Sequence, residues 1–243
     1  MKNFSNSYIF IFSAVMVTIV AALLSFVSEQ LRPIQEKNIE IEKKYDILRS
    51  VRRASDAGTV KDKDEYIEKE YDEFITGSFV LDNTGNTREG IDAFAVNLKF
   101  ELSRPPEERN LPVFVFTGTD SVRKYVFPMW GKGLWGPIWG YVSLDDDFTT
   151  IYGAIFAHSK ETPGLGAEIN TKAFQNQFIG KVIFDTQDNF VSVQVVRGGA
   201  EPGDPSAVDA ISGGTITSKA LQKMMFGCLG SYEVYLKSKR SQP

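Results

Sequence analysis

The chain has 243 residues, enough for one domain of about 200 residues together with a membrane anchor. Its formal net charge of −4 comes from well-mixed acids and bases, which argues against nucleic-acid binding, since that needs a basic face. With one cysteine, Cys228, and one histidine, His158, an intramolecular disulfide, a paired-cysteine site and a histidine-cluster metal site are excluded, and we expect no metal. We interpret His158 as the end of a strand rather than as a catalytic residue.

An uncharged, mostly apolar run covers residues 8–27, after a short N-terminal tail of residues 1–7. About 20 apolar residues at 1.5 Å each cross a hydrocarbon core of roughly 30 Å. The run is longer than the apolar part of a signal peptide, and residues 25–29 are a poor cleavage site. We therefore predict a retained transmembrane helix over residues 8–27.

Residues 28–60 are charged but carry apolar residues at helical spacing, which predicts a juxtamembrane helical linker. The soluble domain is predicted to cover residues 61–243. It begins with a charged helix over residues 61–74, whose charges we interpret as a solvated face. More cations follow the span than precede it, so a strict positive-inside count would place this domain in the cytoplasm.

From Leu111 onward, short apolar segments alternate with polar turns, a pattern typical of strands. The predicted strands cover residues 112–116, 124–128, 138–144, 150–157, 181–184 and 191–196. The short intervals favour antiparallel pairing over helical crossovers. Helices are predicted over residues 169–180 and from Lys219. The predicted fold is therefore α+β, with a single N-terminal transmembrane helix and then a soluble domain in which helices pack on a mainly antiparallel, curved sheet.

The stretch Asp209-Ala-Ile-Ser-Gly-Gly-Thr-Ile-Thr-Ser218 places one carboxylate, two glycines and four hydroxyl groups before an amphipathic helix. The buried stripe of that helix is predicted to contain Leu221, Met224, Met225, Cys228 and Leu229. We expect Thr217 or Ser218 to cap it. Because a glycine loop leading into a helix N-terminus favours an anion, the residues alone predict a phosphate-bearing ligand near Thr215.

Two common phosphate motifs do not fit this chain. Lys219 does not follow a glycine, as a P-loop lysine does. A literal Gly-x-Gly-x-x-Gly covers residues 131–136, but Pro137 and a predicted strand follow where the dinucleotide fingerprint requires a helix.

Other features of the same region leave alternatives open. Trp130, Trp135 and Trp139 either wall a flat aromatic ligand or form a corner of the core. The loop Glu161-Thr-Pro-Gly-Leu-Gly166 either lets backbone approach a ligand closely or is an ordinary strand-to-helix turn.

Three motifs behind a single N-terminal span resemble the C subunit of the sodium-translocating NADH:quinone oxidoreductase. They are Gly-Lys-Gly-Leu-Trp-Gly at 131–136, Glu-Thr-Pro-Gly-Leu-Gly at 161–166 and the stretch at 209–218. The resemblance covers essentially the whole chain and is strong from about Val126 onward. The G subunit of the Rnf electron-transport complex shares the last motif, whereas the first two motifs point to the sodium-translocating enzyme.

The resemblance implies a covalent FMN. The family motif Asp-x-x-[Ser/Thr]-Gly-Ala-Thr carries FMN on its final threonine through a phosphoester bond, which maps onto Thr215. The flavinylation motif then comprises Asp209, Ser212, Gly213 and Gly214, with glycine at 214 where the family usually has alanine. Asp209 is either part of what a flavin transferase reads or a turn-capping carboxylate. The residues expected around the cofactor are Leu134, Trp135, Glu161, Thr162, Gly164, Leu165, Gly166 and Thr217. No residue is expected to be catalytic, since the redox chemistry belongs to the flavin.

The resemblance also implies an oxidoreductase component, inactive alone, that relays electrons within a sodium pump. The expected partners are an iron–sulfur-bearing pair of membrane subunits, the FMN-bearing B subunit and a flavin transferase that makes the bond. The expected location is the bacterial inner membrane, with a cytoplasmic N-terminus and a periplasmic domain, which we prefer to the charge count. The alternatives are the G subunit of a Rnf complex and a membrane-tethered scaffold without covalent flavin.

Overall fold

The computed structural model describes residues 5–240, so residues 1–4 of the predicted N-terminal tail lie outside the described range. Close packing divides the chain into two units, Met1–Lys43 and Lys44–Pro243. From Asn6 onward, the first unit belongs to α1 (Asn6–Ser50), which contains the apolar run. Within the described residues, α1 is the one helix long and apolar enough to cross a membrane, which is consistent with membrane anchoring. The predicted domain boundaries stay a prediction.

The second unit contains the last turns of α1, further helices and all the strands of the described chain. The helices are α2 (Lys63–Phe74), α3 (Leu98–Glu101), α4 (Lys172–Gln175), α5 (Thr215–Gly230) and α6 (Glu233–Arg240). The strands are β1 (Ile75–Leu81), β2 (Thr87–Arg88), β3 (Leu111–Thr117), β4 (Arg123–Lys132), β5 (Pro137–Leu144), β6 (Ile151–His158), β7 (Gln194–Val196) and β8 (Ala207–Asp209). Short 3-10 helices cover Pro106–Glu108, Gly166–Asn170 and Asn176–Phe178.

The main sheet has six strands in the order β2-β1-β3-β4-β5-β6, and every neighbouring pair is antiparallel. Strands β3 to β6 follow one another directly because short turns join them. β7 and β8 form a separate parallel pair. The predicted fold class, an α+β domain with a mainly antiparallel sheet behind an apolar N-terminal helix, is confirmed.

The sheet carries an apolar cluster on each face because successive side chains of a strand point to opposite sides. Phe127 belongs to the cluster that also contains Met225 and Leu229 of α5. Its neighbour Val126 belongs to the second cluster, which contains Ile47 near the end of α1. All five residues of the predicted α5 stripe are buried, as their spacing required.

Helix α5 lies directly against β4. A Cβ atom at Gly131 would come within 2.9 Å of Met224, so a glycine at this position allows the close approach. The Cys228 thiol contacts the backbone N–H and C=O of Trp130, at 3.5 and 3.4 Å from sulfur. Burial raises the pKa of this thiol to about 11, which keeps it protonated and unreactive at neutral pH.

The segment between α4 and β7 differs from the prediction. Residues 181–184 form only isolated bridges, Thr150 to Val182 and Phe184 to Phe190, rather than a strand. The N–H groups of Val191 and Ser192 both bond to the carbonyl of Ile183, which replaces regular pairing. The predicted helix over 169–180 is divided among two 3-10 helices and α4. The strand predicted over 191–196 is reduced to β7.

Tyr232→Phe tests the packing of the chain after α5 onto β3. The Tyr232 hydroxyl is fully buried and donates to the Pro112 carbonyl at 2.9 Å. Its removal leaves that carbonyl without its partner, so the free energy of unfolding should fall by about 1–3 kcal/mol. The measurement is urea unfolding of the full chain in a neutral detergent, followed by near-UV circular dichroism.

Tyr66→Phe is the matched control, since the Tyr66 hydroxyl donates to Asp56 at 2.8 Å in an exposed setting. This variant should stay within about 0.5 kcal/mol of wild type. Equal losses in the two variants would show that burial does not set the contribution of the Tyr232 bond.

Candidate functional site

A cleft of about 260 Å³ lies where the three glycine-containing segments meet. The β4–β5 loop, the segment after β6 and the start of α5 each provide part of its wall. The lining residues are Leu134, Trp135, Glu161, Thr162, Leu165, Gly166, Gly213, Gly214, Thr215, Ile216 and Thr217. All but Ile216 were predicted from the sequence. The structure therefore brings together residues that lie up to 83 positions apart in the chain, from 134 to 217.

Glu161 connects the three segments. Its side chain is 5% exposed, and its two carboxylate oxygens accept different hydrogen bonds. Oε1 accepts the backbone N–H of Trp135 at 2.9 Å, and Oε2 accepts the Thr217 hydroxyl at 2.6 Å. His158 ends β6, as predicted, and its Nδ1 accepts the backbone N–H of Glu161 at 3.3 Å. The carboxylate is thus held by the loop on one side and by α5 on the other.

Two glycines make room for this carboxylate. A Cβ atom at Gly133 would lie 2.5 Å from Glu161 Oε1. A Cβ atom at Gly166 would lie 2.4 Å from both Glu161 Oε2 and Thr217 Oγ1. Any larger residue at either position would displace a buried, hydrogen-bonded group. These motif glycines therefore serve close packing around Glu161.

Helix α5 begins at Thr215, with Gly214 as its N-cap, so the prediction that Thr217 or Ser218 caps the helix is wrong. The Thr217 hydroxyl donates to Glu161, and the Ser218 hydroxyl accepts the Ile211 N–H at 3.1 Å. Both hydroxyls stabilise the site from within the first turn. Within the described residues, no side chain caps the helix and the backbone N–H groups of Thr215, Ile216 and Thr217 have no acceptor.

The cleft has an exposed apolar rim, which we define as Leu134, Trp135, Leu165 and Ile216. Their exposed fractions are 44%, 63%, 42% and 59%, although residues of this type are usually buried. Ile216 was missed by sequence reasoning. The signal was present, because an isoleucine at the second position of a helix, between two threonines, cannot join the stripe that begins at Leu221.

The other tryptophans do not line the cleft. Trp130 and Trp139 are opposite each other in the β4–β5 ladder and are partly buried. The sequence left two roles open for the tryptophans, and the structure divides them: Trp135 is at the cleft, and the other two belong to the sheet.

Three predicted residues stand back from the cleft. Gly164 has a φ of +75°, which favours glycine, and its N–H donates to Glu168 at 3.0 Å. Asp209 accepts the N–H of Ala200, nine positions earlier in the chain, at 2.8 Å. Ser212 is exposed.

At position 214, the side chain of Ile211 occupies the space that the methyl group of an alanine would need. A Cβ atom at Gly214 would lie 2.8 Å from Cγ2 of Ile211. At Gly213, where φ is +74°, a Cβ atom would lie 2.6 Å from Cδ2 of Leu165. The loop before α5 thus fits tightly against its surroundings at both glycines.

Thr215 also lines a second cleft, of about 400 Å³, on its other side. Three cations, Arg197, Lys219 and Lys223, line this second cleft. Thr215 therefore separates an apolar cleft from a basic one, an arrangement suited to a molecule with an apolar ring and an anionic group. Among the described residues, no group of three or more His, Cys, Asp or Glu side chains could hold a metal ion.

Comparisons with known proteins point to one family. A model of the FMN-binding domain matches residues 133–229. The C subunit of the Na(+)-translocating NADH-quinone reductase of Neisseria meningitidis is 32% identical over 202 residues, covering 79% of this chain and 77% of that protein. The corresponding protein of Vibrio vulnificus is 31% identical over 165 residues, and the match covers 65% of this chain and 64% of that protein. The crystal structure of the Parabacteroides distasonis C subunit is 42% identical, with a TM-score of 0.74 over 85% of this chain and 96% of that one.

Glu161→Gln tests whether the carboxylate holds the site together. An amide has only one acceptor oxygen, so its NH₂ group would face one of the two donors. We expect a loss of about 1–3 kcal/mol in the free energy of unfolding and faster amide exchange in residues 133–136. Glu168→Gln is the control, since Glu168 accepts a single backbone N–H, that of Gly164, in an exposed setting. Unchanged exchange in the Glu161 variant would refute the role of the carboxylate.

Proposed function

Because the chain belongs to the family of C subunits of the Na(+)-translocating NADH-quinone reductase, we propose that it is the electron-transfer subunit of such a complex. We propose that it relays electrons through an FMN bound covalently by a phosphoester bond to Thr215. Family membership favours this assignment over the G subunit of a Rnf complex. The observation that carries the proposal is the exposed apolar rim around a threonine at the start of α5.

The exposed apolar rim favours the binding of a flat, largely apolar ring. Each of its side chains leaves apolar area in contact with water, and burial of such area contributes roughly 25 cal/mol per Å². A ring placed among Leu134, Trp135, Leu165 and Ile216 would cover part of all of them. Trp135 offers an aromatic face or edge to that ring. The cleft size of about 260 Å³ fits part of a ligand whose remainder stays in solvent.

The start of α5 favours the binding of a phosphate group. Three uncapped N–H groups in the first turn, together with the helix dipole, favour a negative charge at this position. A diester at the Thr215 hydroxyl keeps one negative charge. The cations of the second cleft add a favourable electrostatic field on the other side of Thr215.

The protein's contribution to the chemistry is position and environment. When bound, FMN supplies the one-electron redox chemistry. Glu161 fixes the Trp135 backbone and the Thr217 hydroxyl, and this keeps the β4–β5 loop and α5 at a constant separation. The rim side chains would exclude water from one side of a bound ring. We propose that Thr162 and Gly166 shape the wall of this pocket and that Gly164 holds the adjoining turn through its N–H bond to Glu168. We also propose that Asp209, Ser212, Gly213 and Gly214 form the attachment motif.

We further propose the membrane setting that the family implies. Helix α1 would anchor the chain in the bacterial inner membrane, with a cytoplasmic N-terminus and a periplasmic domain. The electron partners would be the iron–sulfur-bearing pair of membrane subunits and the FMN-bearing B subunit, and a flavin transferase would attach the cofactor.

Thr215→Ala tests the attachment. In a host that contains the flavin transferase, wild-type chain should give a fluorescent band under denaturing conditions, and the variant should give none because no hydroxyl remains to form the ester. The Thr217 hydroxyl is engaged with Glu161 and 1% exposed, so it should not substitute. Thr162→Ala, a change in the same cleft, is the control and should keep its fluorescence. Fluorescence in the Thr215 variant would move the attachment elsewhere. A dark wild-type band with the transferase present would favour the scaffold alternative.

Trp135→Ala tests the ring position. The band should stay fluorescent, since the attachment is untouched, but iodide should quench the native protein's flavin more efficiently because one wall is lost. Phe100→Ala is the control, as Phe100 is 59% exposed yet lines a different cleft. Equal quenching in wild type and the Trp135 variant would place the ring elsewhere.

A further inference from the structure

A third cleft, of about 290 Å³, lies away from the proposed flavin site and is lined by four cations. Arg49, Arg52 and Arg53 reach it from the end of α1 and the turn that follows, and Lys172 reaches it from α4. No carboxylate lines it. Ile155 of β6 and the half-exposed Ile179 supply an apolar side. We define these residues as the basic cleft.

Two of the four cations are already neutralised. Arg49 pairs with Asp46 at 3.3 Å, and Arg53 pairs with Glu70 at 2.8 Å. Within the described residues, Arg52 and Lys172 form no ion pair. The Arg52 guanidinium lies over the Tyr152 ring at 4.7 Å, which orients it without cancelling its charge. The cleft therefore has about two positive charges to offer a ligand.

The turn that ends α1 does not require an arginine side chain at position 52. The Arg53 N–H bonds to the Leu48 carbonyl and the Arg52 N–H to the Arg49 carbonyl, both at 2.9 Å. These two bonds close a helix in the Schellman arrangement, in which the residue at the position of Arg52 adopts a left-handed conformation and is usually glycine. Arg52 has a φ of +61°. An arginine in this conformation carries a conformational cost that glycine would avoid, so the turn alone does not account for the residue.

We propose that the basic cleft binds the phosphate group of a small phosphate ester or of a lipid headgroup. Arginine presents paired N–H donors that match phosphate oxygens, and Lys172 adds a point charge from α4. The volume admits one phosphate and a short apolar or neutral substituent against Ile155 and Ile179. This site goes beyond the proposed electron relay and does not depend on it.

The test uses the full chain in a neutral detergent, titrated calorimetrically with inorganic phosphate. Arg52→Gly places the preferred residue in the turn, so its melting temperature should equal or exceed that of wild type while phosphate affinity falls about tenfold, the loss expected for one charge-assisted bond. Lys172→Gln should give a similar loss, and the double variant should abolish measurable binding. Arg123→Ala, which removes an exposed cation outside the cleft, should leave the affinity unchanged.

Two further arms identify the source of the phosphate. Glycerol 3-phosphate represents a small ester, and nanodiscs of phosphatidylcholine with phosphatidic acid represent a headgroup. Tighter binding than inorganic phosphate in either arm, lost in the double variant, supports the site and names its ligand class. Wild-type chain that binds none of the three probes, or a double variant that binds them as wild type does, would overturn the proposal. Because no arm measures flavin, failure here leaves the electron-relay proposal unaffected.

Discussion

The buried carboxylate of Glu161 is the interaction on which the candidate site depends. One oxygen accepts a backbone N–H from the β4–β5 loop and the other accepts a hydroxyl from the first turn of α5. A buried carboxylate is costly unless its oxygens are hydrogen-bonded, so the loop, the segment after β6 and the helix stabilise one another. Only glycine fits at positions 133 and 166, because the carboxylate and its partners fill the adjacent space. The three motifs are thus one structural unit, although they are far apart in sequence.

The sheet and α5 place this unit at the surface. The buried stripe of α5 lies against β4, and Gly131 allows the approach. The N-terminus of the same helix, before the buried stripe, places Thr215 between an apolar and a basic cleft. Packing along the helix fixes the position of its first turn, in which Thr217 and Ser218 are buried while Ile216 is exposed.

Much of this was predictable because the relevant patterns are local. The α5 stripe, the strands from β3 to β6 and the glycine motifs depend on residue spacing, which a sequence displays directly. The start of α5 was misjudged, because threonine and serine are good helix caps when only the local sequence is considered. Here the Thr217 hydroxyl bonds to Glu161, which is distant in sequence, and the Ser218 hydroxyl bonds to the Ile211 N–H, which lies before the helix. The strands predicted over residues 181–184 and 191–193 were also misjudged, because their apolar side chains are buried by tertiary packing while their backbone is irregular. Long-range partners decided both cases.

The end of α1 has a consequence for the design of shorter versions of the protein. Ile47, Leu48 and Val51 are almost completely buried, and the Ser50 carbonyl accepts the Ser143 hydroxyl at 2.6 Å while leaving no room for a side chain at position 153. These last turns therefore complete one face of the sheet. A fragment that begins at residue 44 keeps a filled core. A fragment that begins after residue 51 would lack these turns, expose that face to water and be prone to aggregation.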